Sequence, residues 1–241
     1  MESKQICLWS GPRNISTALM YSFAQRTDTQ VVDEPLYAHY LTKSATAAYH
    51  PGAAQVIQSQ ENDGEKVINY MFLNHESPNY FYKHMAHHLL ELDLTFLSKT
   101  TNIILTREPQ EMINSFAKVI AMPSLHDLGY QQQVDLIQTL IEMDERPILI
   151  DSSKLLQNPK VGLEKLCLAI DIPFQESMLN WEVGPRKEDG VWAKHWYKSV
   201  HISSGFMAKK VRSESFPERL LPLLLESEKL YEQIRSYSLL I

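Results

Sequence analysis

The apolar run Cys7-Leu8-Trp9 breaks at Ser10-Gly11-Pro12 and passes into a helical pattern that reaches Met20. Short apolar runs bounded by turn residues mark buried strands, so this stretch predicts strand, tight loop, helix. Thr29 to Val32 predicts a second strand ending in Asp33 and Glu34, and Pro35 forbids helix at once. Residues 36–62, broken at Pro51-Gly52, predict helices on a substrate-facing insert. Asn79 to Lys83 is aromatic-rich and predicts a third strand, with a helix from His84 to Leu94 after it. Thr101 to Thr106 predicts a buried strand; Arg107-Glu108-Pro109 closes it, and Pro109 suits the first turn of a helix holding Ser115. Arg146 to Asp151 predicts the next strand. Helical spacing recurs over 128–144, 159–169 and 217–236, where Leu220, Leu221, Leu224 and Leu225 form a core-facing stripe that is also able to serve as a homodimer seam. Strands alternating with helices predict an α/β fold: one domain over residues 1–241, a parallel β-sheet flanked by helices on both faces.

Composition narrows the partners. A chain of 241 residues with 44% hydrophobic content buries a full core. Its net charge of −6 argues against nucleic acid, which requires many clustered cations, so any anion site is local. Two cysteines, Cys7 and Cys167, make no disulfide framework. No run approaches eighteen apolar residues and no leader pattern follows the first residues, so a cytoplasmic protein without a membrane span is expected.

Three groupings carry candidate chemistry. The loop Gly11 to Thr17 opens a helix whose first N–H groups have no intrahelical partner, and Arg13, Ser16 and Thr17 add a cation and two hydroxyls. A phosphate ester is the natural ligand, although the same turn also reads as an ordinary helix start capped by Ser16. It is not a Walker A motif, which needs G-x-x-x-x-G-K-[ST]. The second grouping is Asp33 and Glu34, which strand alternation expects to separate. The third is His84, His87 and His88, on one face of a helix at that spacing; without a cysteine or carboxylate partner they read as surface or acceptor-site histidines before zinc ligands. Trp181, Trp192, Trp196 and Tyr197 read equally as stacking platforms or as core.

Several landmarks together resemble the sulfotransferases that use PAPS, 3′-phosphoadenosine-5′-phosphosulfate. Pro12-Arg13-Asn14-Ile15-Ser16-Thr17 is similar to that family's 5′-phosphosulfate loop. Arg107, Pro109 and Ser115 match the spacing of its 3′-phosphate motif. Ile148 to Pro159 looks like its strand, acidic turn and N-P-x helix, and Arg186 to Trp192 is similar to its late R-K-G-x-x-G-x-W stretch. The chain departs from the pattern at Ile15, where the family has glycine, and at Glu188, where R-K-G has its glycine. A β-branched residue does not readily take positive φ, so either Asn14 takes it or the loop runs differently.

The resemblance implies a P-loop-containing nucleoside triphosphate hydrolase-like (sulfotransferase) fold, PAPS as co-substrate without a metal, and a small-molecule or carbohydrate hydroxyl as acceptor. It places Arg13, Asn14, Ile15, Ser16 and Thr17 on the phosphosulfate, Arg107 and Ser115 on the 3′-phosphate, and Arg186 and Lys187 over the nucleotide. Glu34 becomes the base, with a histidine after the third strand, His84 or His87, as the alternative, and Lys83 a cation near the transferred group. A PAP-binding protein without turnover and a P-loop small-molecule kinase are the competing readings.

Overall fold

A computed structural model describes residues 3–73, 76–207 and 216–237. Strand β1 (Lys4–Ser10) leads into helix α1 (Ser16–Phe23), and strand β2 (Thr29–Asp33) into three short helices, α2 (Tyr37–Lys43), α3 (Ala53–Ser59) and α4 (Gly64–Tyr70). Strand β3 (Asn79–Met85) and strand β4 (Thr101–Thr106) precede α5 (Pro109–Phe116), α6 (Leu125–Leu128) and α7 (Tyr130–Glu142). Strand β5 (Ile148–Asp151) is followed by α8 (Ser152–Gln157), α9 (Pro159–Ala169), α10 (Ala193–Trp196), α11 (Lys198–His201) and α12 (Leu221–Ser236).

All five strands are parallel, in the order β2-β3-β1-β4-β5. Side-chain alternation assigns the faces: Ile6, Leu8, Phe81 and Ile103 pack with α1 and α9, whereas Cys7, Trp9, Tyr82 and Ile104 pack with α5, α7 and α12. Both faces are therefore buried, as a parallel sheet requires. From central β1 the chain supplies β2 and β3 on one side and β4 and β5 on the other. The crevice at such a reversal lies beyond the carboxyl ends of the strands, where Ser10, Asp33, Met85 and Thr106 end theirs.

Two expectations are corrected by packing. The segment after Lys83 is not a helix to Leu94: β3 continues to Met85 because His84 stacks on Trp9 at 4.3 Å, and a 3₁₀ turn, Ala86–Leu89, follows. His84 thus shares no helical face with His87 and His88, and among the described residues no group of three His, Cys, Asp or Glu is arranged to hold a metal. Of the leucine stripe at the start of α12 and just before it, Leu220 and Leu224 are buried, whereas Leu221 and Leu225 are 44% and 60% exposed. Cys7 and Cys167 are free and lie in different core clusters. No helix among the described residues is long and apolar enough to cross a membrane.

The turn after β1 depends on Gly11. A Cβ there would sit 2.7 Å from the Leu128 carbonyl oxygen and 2.9 Å from Met112 Cε. Gly11→Ala is expected to cost about 1–3 kcal/mol, as overpacking against backbone does. Urea unfolding checks this, and an unchanged midpoint would refute the close approach.

Candidate functional site

The strand-to-helix loop is shaped by Arg13, whose φ of 53° carries the left-handed turn. Neither Asn14 nor Ile15 does so; Ile15 sits at φ −82° as the N-cap of α1. Asn14 instead ties the loop down, its Nδ2 donating to the Leu105 carbonyl at 2.9 Å and its Oδ1 accepting from the Ile15 N–H. No side chain caps α1, so the Ser16 cap reading does not hold. The first N–H groups of α1 lack helical partners by geometry, and Ser16 and Thr17 line the adjacent cavity.

Arg13 and Arg107 meet at this loop. The Arg13 guanidinium donates through Nε to Ser115 Oγ at 3.1 Å and through Nη1 to the Trp196 carbonyl at 2.9 Å. Arg107 donates through Nη1 to the carbonyl of Arg13 and pairs with Glu111 at 3.2 Å, while Tyr130 OH donates to the Arg107 carbonyl. Burial pushes the pKa of both guanidinium groups down, and the charge of Arg107 lowers that of Arg13 further. Among the described residues Arg13 has no carboxylate partner. Two cations are thus held together against desolvation and mutual repulsion, a cost that an anion beside them would relieve.

Beyond this basic end, the register of the sheet sets Asp33 opposite Lys83 on neighbouring strands. Alternation predicts that Glu34 faces away from Asp33. It does not: Glu34 adopts φ 41°, a conformation rare for a residue with a side chain, and both carboxylates reach Lys83. Lys83 Nζ also donates to Tyr197 OH at 2.7 Å, Tyr197 donates to Asp33 at 2.8 Å, and Trp192 Nε1 donates to Tyr197 at 3.1 Å. Burial pushes the Glu34 carboxyl up, with Lys83 opposing and Asp33 adding to the rise. Burial also works against the Lys83 charge, but the two carboxylates outweigh it and hold its pKa above the ordinary lysine value.

Both clusters open on one cavity of about 380 Å³, lined by Arg13, Asn14, Ile15, Ser16, Thr17, Glu34, Lys83, Arg107 and Ser115 among others. Arg186 and Lys187 are not brought to it. Arg186 lies over the Tyr21 ring and pairs with Glu188 at 3.5 Å, and Lys187 is 91% exposed. Asp189 of the same segment accepts from Tyr21 OH at 2.7 Å and pairs with His201 at 2.9 Å, while the Gly190 N–H donates to Asp33 of the Lys83 cluster. Trp181 is core; Trp192, Trp196 and Tyr197 line the cavity. Sequence reasoning missed the Tyr197 hydroxyl in the Lys83 cluster, and it left His50 and Asp127, which also line the cavity, without a role. Nothing local marks these residues, since the partners lie far apart along the chain.

Residues 4–221 match the model of the sulfotransferase domain family. The chain is 43% identical over 238 residues to branched-chain-amino-acid aminotransferase-like protein 1 of Arabidopsis thaliana, covering 98% of itself and 42% of that protein. It is 39% identical to that plant's branched-chain-amino-acid aminotransferase-like protein 2, covering 95% of itself and 41% of the relative. The chain thus spans about two fifths of the length of these curated relatives. Among solved structures, the sulfotransferase domain from the curacin biosynthetic pathway superposes with TM-score 0.57 at 15% identity, covering 99% of this chain and 100% of that one. That likeness concerns the fold; together with the family match over nearly the whole length, it shows that the chain belongs to the sulfotransferase domain family.

Proposed function

We propose that this cavity transfers a sulfuryl group from PAPS to a hydroxyl of a small molecule or carbohydrate. The observation that carries the reading is the opening of the Arg13–Arg107 pair and of the Glu34–Lys83 pair on one cavity. Arg13, Ser16, Thr17 and the loop amides would hold the 5′-phosphosulfate, and Arg107 with Ser115 the 3′-phosphate; a planar guanidinium suits either anion. In the transfer, the acceptor oxygen bonds to sulfur, the bond from sulfur to the bridging phosphate oxygen breaks, and PAP leaves with that electron pair. The acceptor proton goes to Glu34, whose carboxylate is made more basic by burial. Arg13 offsets charge developing on the departing phosphate. Lys83 holds the Glu34 carboxylate in place on the cavity wall.

A second reading, nucleotide binding without turnover, is favoured by Glu188, which engages the two cations, Arg186 and Lys187, that the nucleotide would otherwise attract. Calorimetric titration with PAP, set against ATP plus magnesium, separates both readings from a kinase. Turnover on a panel of acceptors then separates the first from the second. Arg107→Ala is expected to weaken PAP binding by about 1.5–3 kcal/mol, the worth of a hydrogen bond to a charged group. Unchanged affinity would remove Arg107 from the nucleotide site.

A further inference from the structure

We propose that Tyr197 is a positioning residue: its hydroxyl occupies Asp33 and Lys83, so that of two adjacent carboxylates Glu34 alone keeps an oxygen for the acceptor proton. This rests on the reading of the cavity as a transfer site. It adds to that site a residue that the fold brings in from 164 positions beyond Asp33.

A count of donors and acceptors is the first argument. An ammonium group has three donors, and those of Lys83 go to Asp33 Oδ1 at 2.9 Å, to Glu34 Oε1 and to the Tyr197 hydroxyl at 2.7 Å. None is left for a ligand. A phenol has one proton, and the Tyr197 hydroxyl stands 2.8 Å from both Asp33 oxygens but 3.4 Å from Glu34 Oε1. That proton therefore goes to Asp33. The Tyr197 oxygen accepts from Lys83 and, at 3.1 Å, from Trp192 Nε1, which fills its capacity. With nothing left to offer a substrate, this hydroxyl acts through its neighbours.

Placement is the second argument. Oδ1 of Asp33 accepts from Lys83 and Tyr197, and Oδ2 accepts from Tyr197 and from the Gly190 N–H at 3.1 Å, so both oxygens are engaged. Glu34 is different. It is among the residues that line the cavity, which Asp33 is not. Its Oε1 is held by Lys83 and, at greater length, by Tyr197, whereas its Oε2 accepts no hydrogen bond from the described residues. The other titratable group facing Glu34 is Tyr37 of α2, whose hydroxyl is kept protonated by burial and by the Glu34 charge.

Tyr197→Phe tests the role, with PAPS as donor and 4-ethylphenol or methyl β-glucopyranoside as acceptor, whichever turns over faster. The variant is expected to lower kcat about tenfold, the worth of one net hydrogen bond, with the acceptor KM and the PAP Kd held within about twofold. Without the hydroxyl, Asp33 draws more of the Lys83 charge and Glu34 loses a contact that favours its ionised form. The acid limb of the rate should then move to higher pH, and NMR of the labelled Glu34 carboxyl should show the same upward move. In a Glu34→Gln background the same change should cost less than about twofold, because two substitutions acting through one group are not additive. A tenfold loss in both backgrounds, or an unmoved Glu34 titration, would mean lost packing and overturn the proposal. On the unaltered protein, an acid limb that follows the Asp33 carboxyl instead of Glu34 would overturn it even if the variant does not fold. Sulfuryl transfer at full rate in Tyr197→Phe would sink the positioning role and spare the transferase reading. A chain that ignores PAP and sulfates neither acceptor, yet shows the Glu34 titration moving up in Tyr197→Phe, would do the reverse.

Discussion

Glu34→Gln is expected to slow sulfuryl transfer by about 10²-fold or more while leaving PAP affinity unchanged, as removal of a general base does. The substitution is nearly isosteric and abolishes the acceptor for the proton. Lys83 keeps Asp33 as its counter-ion at 2.9 Å, so the cluster retains one ion pair and the fold survives. A pH profile makes the test specific. With Glu34 as the base, transfer needs its carboxylate, and burial raises that carboxyl above the ordinary glutamate range. The rate of the unaltered protein should therefore fall as pH drops through that raised value, and that acid limb should vanish in the variant. Full activity in Glu34→Gln would assign the base to another group.

The second large effect is on stability. Lys83 is 1% exposed and is the cation shared by two carboxylates that are themselves buried. Lys83→Met leaves both without a cation, and stripping one partner from a buried ion pair costs about 3–5 kcal/mol. That is a large part of the stability of a typical domain. The sign with pH follows from linkage. In the variant, burial keeps the folded pKa of Glu34 raised and the opposing Lys83 charge is gone. The folded state then binds more protons, so the lost stability returns as pH falls through the raised Glu34 value. Urea unfolding at pH 7 and pH 5 should show a deficit that shrinks at the lower pH. A deficit of the same size at both would mean lost packing rather than unpaired charge, and no deficit would contradict the ion cluster.

The same cluster marks where reading along the chain stops. Glu34 and Lys83 are conspicuous as strand-end residues, but their partnership depends on the parallel register that sets Asp33 opposite Lys83 and on the left-handed backbone of Glu34. Strand alternation alone sends Asp33 and Glu34 to opposite sides. The loop behaves similarly: Gly11 to Thr17 reads as an anion loop, yet Arg13 carries the positive φ that composition would give to Asn14 or to a glycine. His84 shows the converse error. Its spacing with His87 and His88 fits a helix, but stacking against Trp9 keeps it in the strand.

The one-dimensional pattern was sufficient for the parallel α/β sheet, for the strand-loop-helix turn after β1, and for the placement of Arg107 just past β4 and of Ser115 on α5, because apolar periodicity and strand-end position are local properties of the chain. Tertiary structure alone decided that Arg13 and Arg107 share a wall, that Tyr197 joins Lys83 and Asp33, and that His50, His87 and Asp127 line the same cavity. Those contacts join segments that only sheet order and helix packing bring together, and no local preference encodes them.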